Sequence, residues 1–321
     1  MSSSSALPGD ASSVFDVLSG EAVNGDVIQV LTAISKSVVD IGVALREGAS
    51  GFKAEAVGTA NSFGDDQLAV DLASDQAVFA RLKASGLVAV ASSEETPEEV
   101  NLGGTGFSVA FDPLDGSSIV DANFTVGSIF GVWPGATLKG VRGNEQVAAV
   151  MAMYGPRITM AVAWRGGCVE LTWIKGEWMK TKELKIAPSG KVFAPGNLRA
   201  TADAPAYMAL VQEWIAQRYT LRYTGGMVPD VYHILFKGKG VFSNCSSAGA
   251  KAKLRLLYEC APIAFIVEAA GGKSLVDPMF ASAPQSVLDV AVAALDQRIG
   301  VAYGSSAEIE LFQTHMFPCP N

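Results

Sequence analysis

The chain has 321 residues, 49% of them apolar and 17% charged, with a formal net charge of −8. That composition belongs to a compact globular protein, not a disordered chain, and with no Lys/Arg cluster interleaved with aromatics it argues against a nucleic-acid partner. No run of about 18 apolar residues predicts a membrane span, and a phosphorylated substrate would be repelled unless metal ions or a local basic pocket inverted the sign.

The opening "MSSSSALPGDASS" has neither a basic start with an apolar core nor the arginines of a transit peptide, so residues 1–23 read as a flexible tail and a cytoplasmic location is expected. From Asn24 the apolar positions Val27, Leu31, Ile34, Val38, Ile41 and Leu45 step by alternating fours and threes, the stripe of an amphipathic helix capped by Asn24 or Asp26. A glycine-containing loop, "EGASGFKAEAVGTANSFGDD", leads into a second helix expected over 66–83. "GLVAVASSEE" then reads as a strand ending on paired acids, and "GFSVAF" as a strand running into "DPLDGSS". From 125 to 185 the runs "VGSIFGVW", "QVAAVMAMYG", "RITMAVAW" and "CVELTWI" suit strands covered on both faces.

Past "IAPSGKVFAPGN" the texture alternates: a helix over 204–217, the helix "VPDVYHILF", the strand "GVFSN", a helix over "KLRLLYECAPIAFIVEAAGG", the strand "GVAYG" and a closing helix. Helices over sheets in both halves imply a layered α/β architecture with a boundary near 190. The expected domains are 24–190 and 191–314, with a short tail at 315–321. The cysteines Cys168, Cys245, Cys260 and Cys319 have no metal-ligand spacing and read as reduced thiols.

The acids carry the chemistry. Glu94 and Glu95 end one strand, Asp112 and Asp115 end the next, and Asp65 and Asp71 precede them. Carboxylates sharing one pocket are tolerable when divalent ions neutralise them, and oxygen donors are what Mg²⁺ prefers, so a multi-metal site is the economical explanation. The plainer alternative is a solvated acidic loop and an ordinary turn. Gly116, Ser117 and Ser118 would offer backbone N–H groups and hydroxyls to a phosphate beside those metals, a phosphatase geometry. Arg255 and Glu259, four apart, are expected on one helix face with Lys251 and Lys253 upstream, either near the site or as a salt bridge. Arg199, Arg222 and Tyr223 form the basic and aromatic mix expected around a second phosphate. With His233 and His315 as the only histidines, a Ser-His-Asp or His-ligated mechanism has almost no material.

"SSEE", "FDPLDGSS", "VGSIFGVWPG", "RYTGGMVPD" and "KLRLLYECAP", in this order and spacing, resemble the fructose-1,6-bisphosphatase family, and the likeness runs from about residue 26 to 312. "NSFGDDQLAVD", "SIVDANFTVG", "APGNLRAT" and "VAYGSSAEI" are similar to the branch acting on the seven-carbon sugar. The resemblance implies an αβαβα layered sandwich of the sugar-phosphatase type, two domains in one compact body, assembled as a homodimer or homotetramer. The implied activity is Mg²⁺-dependent removal of the 1-phosphate of sedoheptulose 1,7-bisphosphate, with fructose 1,6-bisphosphate, or both, as the alternative and a non-catalytic sugar-phosphate sensor as the remaining one. Carried over by position, it makes Glu94, Glu95, Asp112, the Leu114 carbonyl, Asp115 and Glu259 the ligands of two or three Mg²⁺ ions. Asp71 and Glu95 would take the proton of the attacking water, and Asp65 would belong to a mobile loop completing the site. Asp115, Gly116, Ser117 and Ser118 would hold the departing phosphate. Arg222, Tyr223 and Lys253, with Arg199 and Asn197, would bind the far phosphate, and Met227 would line the sugar.

The departures from the resemblance matter as well. Plastid members of that branch carry a redox-controlled cysteine pair just before "NSFGD", where this chain has Ala54 to Thr59 and no cysteine. AMP-inhibited members carry a Lys-Tyr pair and an Arg where this chain has Gly106-Phe107 and Pro134. Where fructose-specific members have a tyrosine in the far-phosphate pocket, this chain has Ser243, which leaves room for a longer sugar.

Overall fold

The computed structural model describes residues 14–47, 56–60 and 66–318. One short strand pair and turns aside, it builds two sheets and three helical layers. Helices α1 (Val14–Leu18), α2 (Gly25–Glu47) and α3 (Ala69–Ser85) cover one face of an eight-stranded sheet. Its strands are β3 (Val88–Ser93), β4 (Val100–Asn101), β5 (Phe107–Asp115), β6 (Val126–Pro134), β7 (Ala148–Tyr154), β8 (Ile158–Trp164), β9 (Gly167–Ile174) and β10 (Glu177–Glu183), ordered β10-β9-β8-β7-β6-β5-β3-β4. All neighbours are antiparallel except β3 and β5, which run parallel.

The predicted stripe of α2 is buried as expected, and Asn24 Oδ1 accepts the Asp26 N–H at 2.8 Å to cap it. This helix is long and apolar enough to cross a membrane by length and composition, contrary to the sequence expectation, but 67% of its most apolar window is buried inside the protein. Its hydrophobicity reflects its place between the sheet and α3.

The second sheet contains β11 (Val192–Gly196), β12 (Thr220–Leu221), β13 (Val241–Asn244), β14 (Lys273–Val276) and β15 (Val301–Gly304), in the order β12-β11-β13-β15-β14. Helices α4 (Pro205–Ala216) and α7 (Ser306–Met316) cover its outer face through Trp214, Leu210, Ile309 and Phe312. Helices α5 (Met227–Lys237) and α6 (Ala261–Ala269) lie between the sheets. They pack on Ala110, Ile129 and Met151 of one sheet and on Ala194, Phe242 and Tyr303 of the other. The layers therefore run α/β/α/β/α, the architecture implied by the sequence.

Two local predictions need correction. The glycine-rich segment ahead of α3 is not all loop: β1 (Ala56–Ala60) pairs antiparallel with β2 (Asp66–Leu68), and α3 begins at Ala69, not at 66. The helix expected over "KLRLLYECAPIAFIVEAAGG" starts late. Arg255 has extended backbone, Leu256–Cys260 form a π-helical turn in which the Cys260 N–H reaches back to the Arg255 carbonyl at 2.9 Å, and only then does α6 begin. Pro262 explains the widening, because it lacks an N–H and its ring crowds the carbonyl one turn upstream.

The chain of β5 contains the feature that positions the site. Its register against β6 runs regularly from Phe107↔Pro134 to Asp112↔Ile129, then slips by one residue to Asp115↔Gly127. In a regular strand, residues three apart face opposite sides. Pro113 has no N–H for the ladder, so a one-residue bulge forms there and turns Asp112 and Asp115 toward the same side. Opposite Asp115, Gly127 allows close approach: a Cβ placed on it would lie 2.3 Å from the Ala152 carbonyl oxygen and 2.3 Å from Val228 Cγ1 of α5.

Gly127→Ala should therefore destabilise the protein by about 1–3 kcal/mol, the usual range for overpacking. Urea unfolding measures it, and a wild-type midpoint would show that the close approach of α5 to β6 is not tight.

Candidate active site

Four segments converge at the C-terminal end of β5. Asp112 and Asp115 come from the bulge, Glu94 and Glu95 from the turn after β3, Asp71 from the first turns of α3, and Glu259 from the π-turn ahead of α6. One carboxylate oxygen from each of Asp112, Asp115 and Glu259 can be chosen so that all lie within 4.8 Å of one another. Asp112 and Glu259 are buried, and Asp115 is half-buried.

Each acid is oriented by a backbone donor. The Leu114 N–H, inside the bulge, donates to Asp112 Oδ1 at 2.9 Å. Asp115 Oδ2 accepts the Val228 N–H at 2.7 Å in the first turn of α5, where the helix dipole favours a negative group. Glu259 Oε2 accepts the N–H of Arg255. The buried Arg255 guanidinium sits 3.8 Å from Glu94 Oε1. The Arg255–Glu259 pair expected on a helix face takes another form around the π-turn: the Arg255 N–H meets Glu259, its charge favours the Glu259 carboxylate, and its guanidinium also pairs with Glu94.

The electrostatics follow from this crowding. Burial, then the charges of Glu94, Glu259, Asp115 and Asp71, holds the Asp112 carboxyl well above the usual range. Burial and Glu94 do the same to Glu259. Asp115 is pushed up to about 6 by burial, with the Val228 N–H opposing the shift. Asp71 is pushed up to about 7 by burial and then Glu95, with a hydrogen bond from Ser117 opposing. A buried, all-oxygen, mutually repelling donor set is what a hard divalent cation satisfies.

Beyond the bulge, Gly116 takes a left-handed φ of 83° and starts a short 3₁₀ turn, Ser117–Ile119, which sets Ser117 against Asp71. The turn follows Asp115 directly in the chain, and the Ser117 hydroxyl bonds to Asp71.

The far-phosphate residues are more dispersed. Asn197, at a left-handed φ of 47°, gives its amide N–H groups to the carbonyls of Cys245 (2.7 Å) and Ala250 (2.9 Å), with Arg199 Nη2 3.5 Å from its Oδ1. Lys253 is exposed on the extended segment before the π-turn. Arg222 and Tyr223 line a cavity of about 650 Å³ together with Phe124, Leu221, His233 and Phe236, a lining that includes none of the acids around the bulge. Met227 is buried as the first residue of α5. Asp65 lies outside the described residues.

Sequence reading missed Asp230, which is buried and accepts the N–H groups of Thr224 (2.7 Å) and Gly225 (3.2 Å), fixing the loop that carries Tyr223 into α5. An acid in the first turn of a helix preceded by two glycines was the available signal. It also missed Asp75, one turn along α3 from Asp71.

Raised carboxyl pKa values make stability pH-dependent with a definite sign. The native state binds more protons than the unfolded chain between about 4 and 7, so stability falls as pH rises through that window. In chelator the thermal midpoint should drop between pH 5 and 7.5, and a divalent cation should restore it. A midpoint that rises with pH in chelator would contradict the assigned burial of these acids.

The chain matches two family models: fructose-1-6-bisphosphatase, N-terminal domain, over residues 12–183, and fructose-1-6-bisphosphatase, C-terminal domain, over 186–317. It is 51% identical over 269 residues, 82% of this chain and 68% of the other, to the chloroplastic sedoheptulose-1,7-bisphosphatase of Chlamydomonas reinhardtii. It is 36% identical over 295 residues, 89% of each chain, to the class 1 fructose-1,6-bisphosphatase of Trichlorobacter lovleyi. The crystal structure of Leishmania major fructose-1,6-bisphosphatase in holo form superposes with a TM-score of 0.85 at 28% identity, covering 95% of this chain and 98% of that one.

Proposed function

The chain belongs to the fructose-1,6-bisphosphatase family, and from that premise we propose that it hydrolyses the 1-phosphate of sedoheptulose 1,7-bisphosphate with Mg²⁺ held by the acids at the β5 bulge. It is a phosphoric monoester hydrolase acting on a sugar bisphosphate. The observation that carries the reading is the convergence of Asp112, Asp115 and Glu259 within 4.8 Å, with Asp71, Glu94 and Glu95 close enough to raise their neighbours' pKa values. A sugar-phosphate sensor would have no use for a base in this position.

Glu94, Glu95, Asp112, Asp115, Glu259 and the Leu114 carbonyl would hold two or three cations. Bound there, Mg²⁺ neutralises the substrate phosphate and acidifies water. Asp71, held near neutrality by its surroundings, accepts the proton of the attacking water with Glu95 as its partner, a pKa suited to a general base at neutral pH. Ser117 bonds to Asp71 and fixes that carboxylate, while the Gly116–Ser118 turn would offer backbone N–H groups to the departing phosphate. At the far end Arg199, Arg222, Tyr223 and Lys253 supply donors for the second phosphate. Arg222 and Tyr223 act from the rim of their own cavity.

Support for the seven-carbon substrate comes from the chloroplastic relative at 51% identity. Ser243, expected from the sequence to leave room for a longer sugar, is instead buried with its hydroxyl 3.1 Å from the Tyr207 hydroxyl of α4, so it gives that reading no support. Phosphate release from sedoheptulose 1,7-bisphosphate and fructose 1,6-bisphosphate, measured in parallel with and without Mg²⁺, decides it. A larger kcat/KM for the seven-carbon sugar and no turnover in chelator are expected, and the opposite preference would give the fructose reading.

Asp71→Asn keeps the shape and removes the base, so kcat should fall about 10²–10⁴-fold while bisphosphate binding persists. Near-normal turnover would take Asp71 out of the chemistry. Lys253→Ala should instead weaken bisphosphate binding by about 1.5–3 kcal/mol, the range for a charge-assisted contact, with divalent-cation affinity unchanged. An unchanged KM would remove it from the far-phosphate site.

A further inference from the structure

Asp75 is 5% exposed and lies one helical turn beyond Asp71 on α3, so both carboxylates leave the same face of the helix. Asp71 faces Glu95. Asp75 reaches the turn that carries Glu94 and Glu95 from below, and both of its oxygens are engaged there. Oδ1 accepts the Ser93 hydroxyl at 2.5 Å and Oδ2 accepts the Thr96 hydroxyl at 3.0 Å. These two residues bracket the acids. The turn is closed by the Ser93 N–H donating to the Thr96 carbonyl (3.1 Å) and the Thr96 N–H donating to Ser93 Oγ (2.8 Å), and it is tied to β5 by the Glu94 N–H donating to the Phe111 carbonyl (3.1 Å).

A two-residue acidic turn of this kind has an intrinsic tendency to open, because Glu94 and Glu95 repel each other and the acids of β5. Besides these backbone contacts, a buried carboxylate on α3 grips both ends of the turn and opposes that opening.

We propose that Asp75 is a positioning residue which, through its paired hydroxyl contacts, sets the placement of the Glu94 and Glu95 carboxylates and thereby the affinity of the site for divalent cations. The inference rests on the reading of Glu94 and Glu95 as cation ligands. Groups behind the direct ligands orient them, and losing one lowers metal affinity by about 10–100-fold.

Asp75→Asn offers one acceptor oxygen where two hydroxyls donate and places an N–H₂ against the other, so one leg of the grip is lost. Thr96→Val removes one donor and keeps the shape, which covers the case in which Asp75→Asn does not fold. Calorimetric titration of MnCl₂ into chelator-stripped protein is the direct readout, with Asp112→Asn as the reference and the chelator-state thermal midpoint as the check on folding. Expected are about 10–100-fold weaker Mn²⁺ binding in Asp75→Asn and Thr96→Val, and a double variant no weaker than the worse single one. Both single variants should show near-normal KM for the bisphosphate and kcat restored by excess cation. Wild-type Mn²⁺ affinity in a folded Thr96→Val or Asp75→Asn protein, with binding lost in Asp112→Asn, would overturn the proposal and leave the site reading standing. Unchanged Mn²⁺ affinity in Asp112→Asn as well would overturn both.

Discussion

Mutual repulsion among buried carboxylates is the constraint to which the rest of the molecule answers. Burial and the neighbouring acids, Glu94 among them, raise the pKa values of Asp71, Asp112, Asp115 and Glu259 in a pocket where water screens poorly. Unaided, such a set would protonate or spread apart. The fold counters this with fixed dipoles and one cation: the α5 N-terminus on Asp115, the Leu114 N–H on Asp112, the Arg255 N–H on Glu259, and the Arg255 guanidinium beside Glu94. These donors hold the geometry while leaving outward-facing oxygens for a bound cation, so the protein keeps a site that is stable enough to fold and charged enough to bind.

Two departures from regular secondary structure make the geometry possible. The bulge at Pro113 brings Asp112 and Asp115 to one side of β5, and the π-turn before Pro262 carries Glu259 out of a helix that would otherwise have placed it beside Arg255. Both are caused by a proline and both sit at the site. Each is a local irregularity tolerated because the layers around it are well packed, with the Gly127 contact to Val228 holding α5 against β6.

The two sheets cannot be treated as independent carriers of the chemistry. The α5 and α6 layer is buried between them and shares one apolar cluster with both, so Glu259 and the Val228 N–H from the second half are delivered to Asp112 and Asp115 of the first through that core. The described thiols are shielded, although Cys260 adjoins Glu259. Cys168, Cys245 and Cys260 are buried and unbridged, and burial pushes the Cys168 thiol up to about 12, far from the thiolate that redox exchange requires. The Ala56–Ala60 strand occupies part of the segment where the plastid relatives were expected to carry their cysteine pair.

The sequence by itself determined the helical stripe of α2, the apolar strands of the first sheet, the alternating texture of the second half and the clustering of acids at strand ends. All of these are set by residues near one another in the chain, whose periodicity shows which face is buried. It also supplied the family, because several motifs in one order and spacing are more specific than any of them alone. Tertiary structure alone decided what depends on contacts between distant residues. Lys253 and Glu259 lie on no common helix, because the chain is extended at Arg255 and turns into a π-helical turn at Leu256–Cys260. Arg255 gained Glu94, some 160 positions away, as a partner besides its neighbour Glu259. Arg222 and Tyr223 turned to a cavity apart from the acids. Asp75 and Asp230 became fixing groups whose partners, Ser93 with Thr96 and Thr224 with Gly225, come into reach only once α3 packs on β3 and α5 starts where it does. A one-dimensional pattern records which residues are buried together on one element; which polar group meets which across elements is fixed by packing and register.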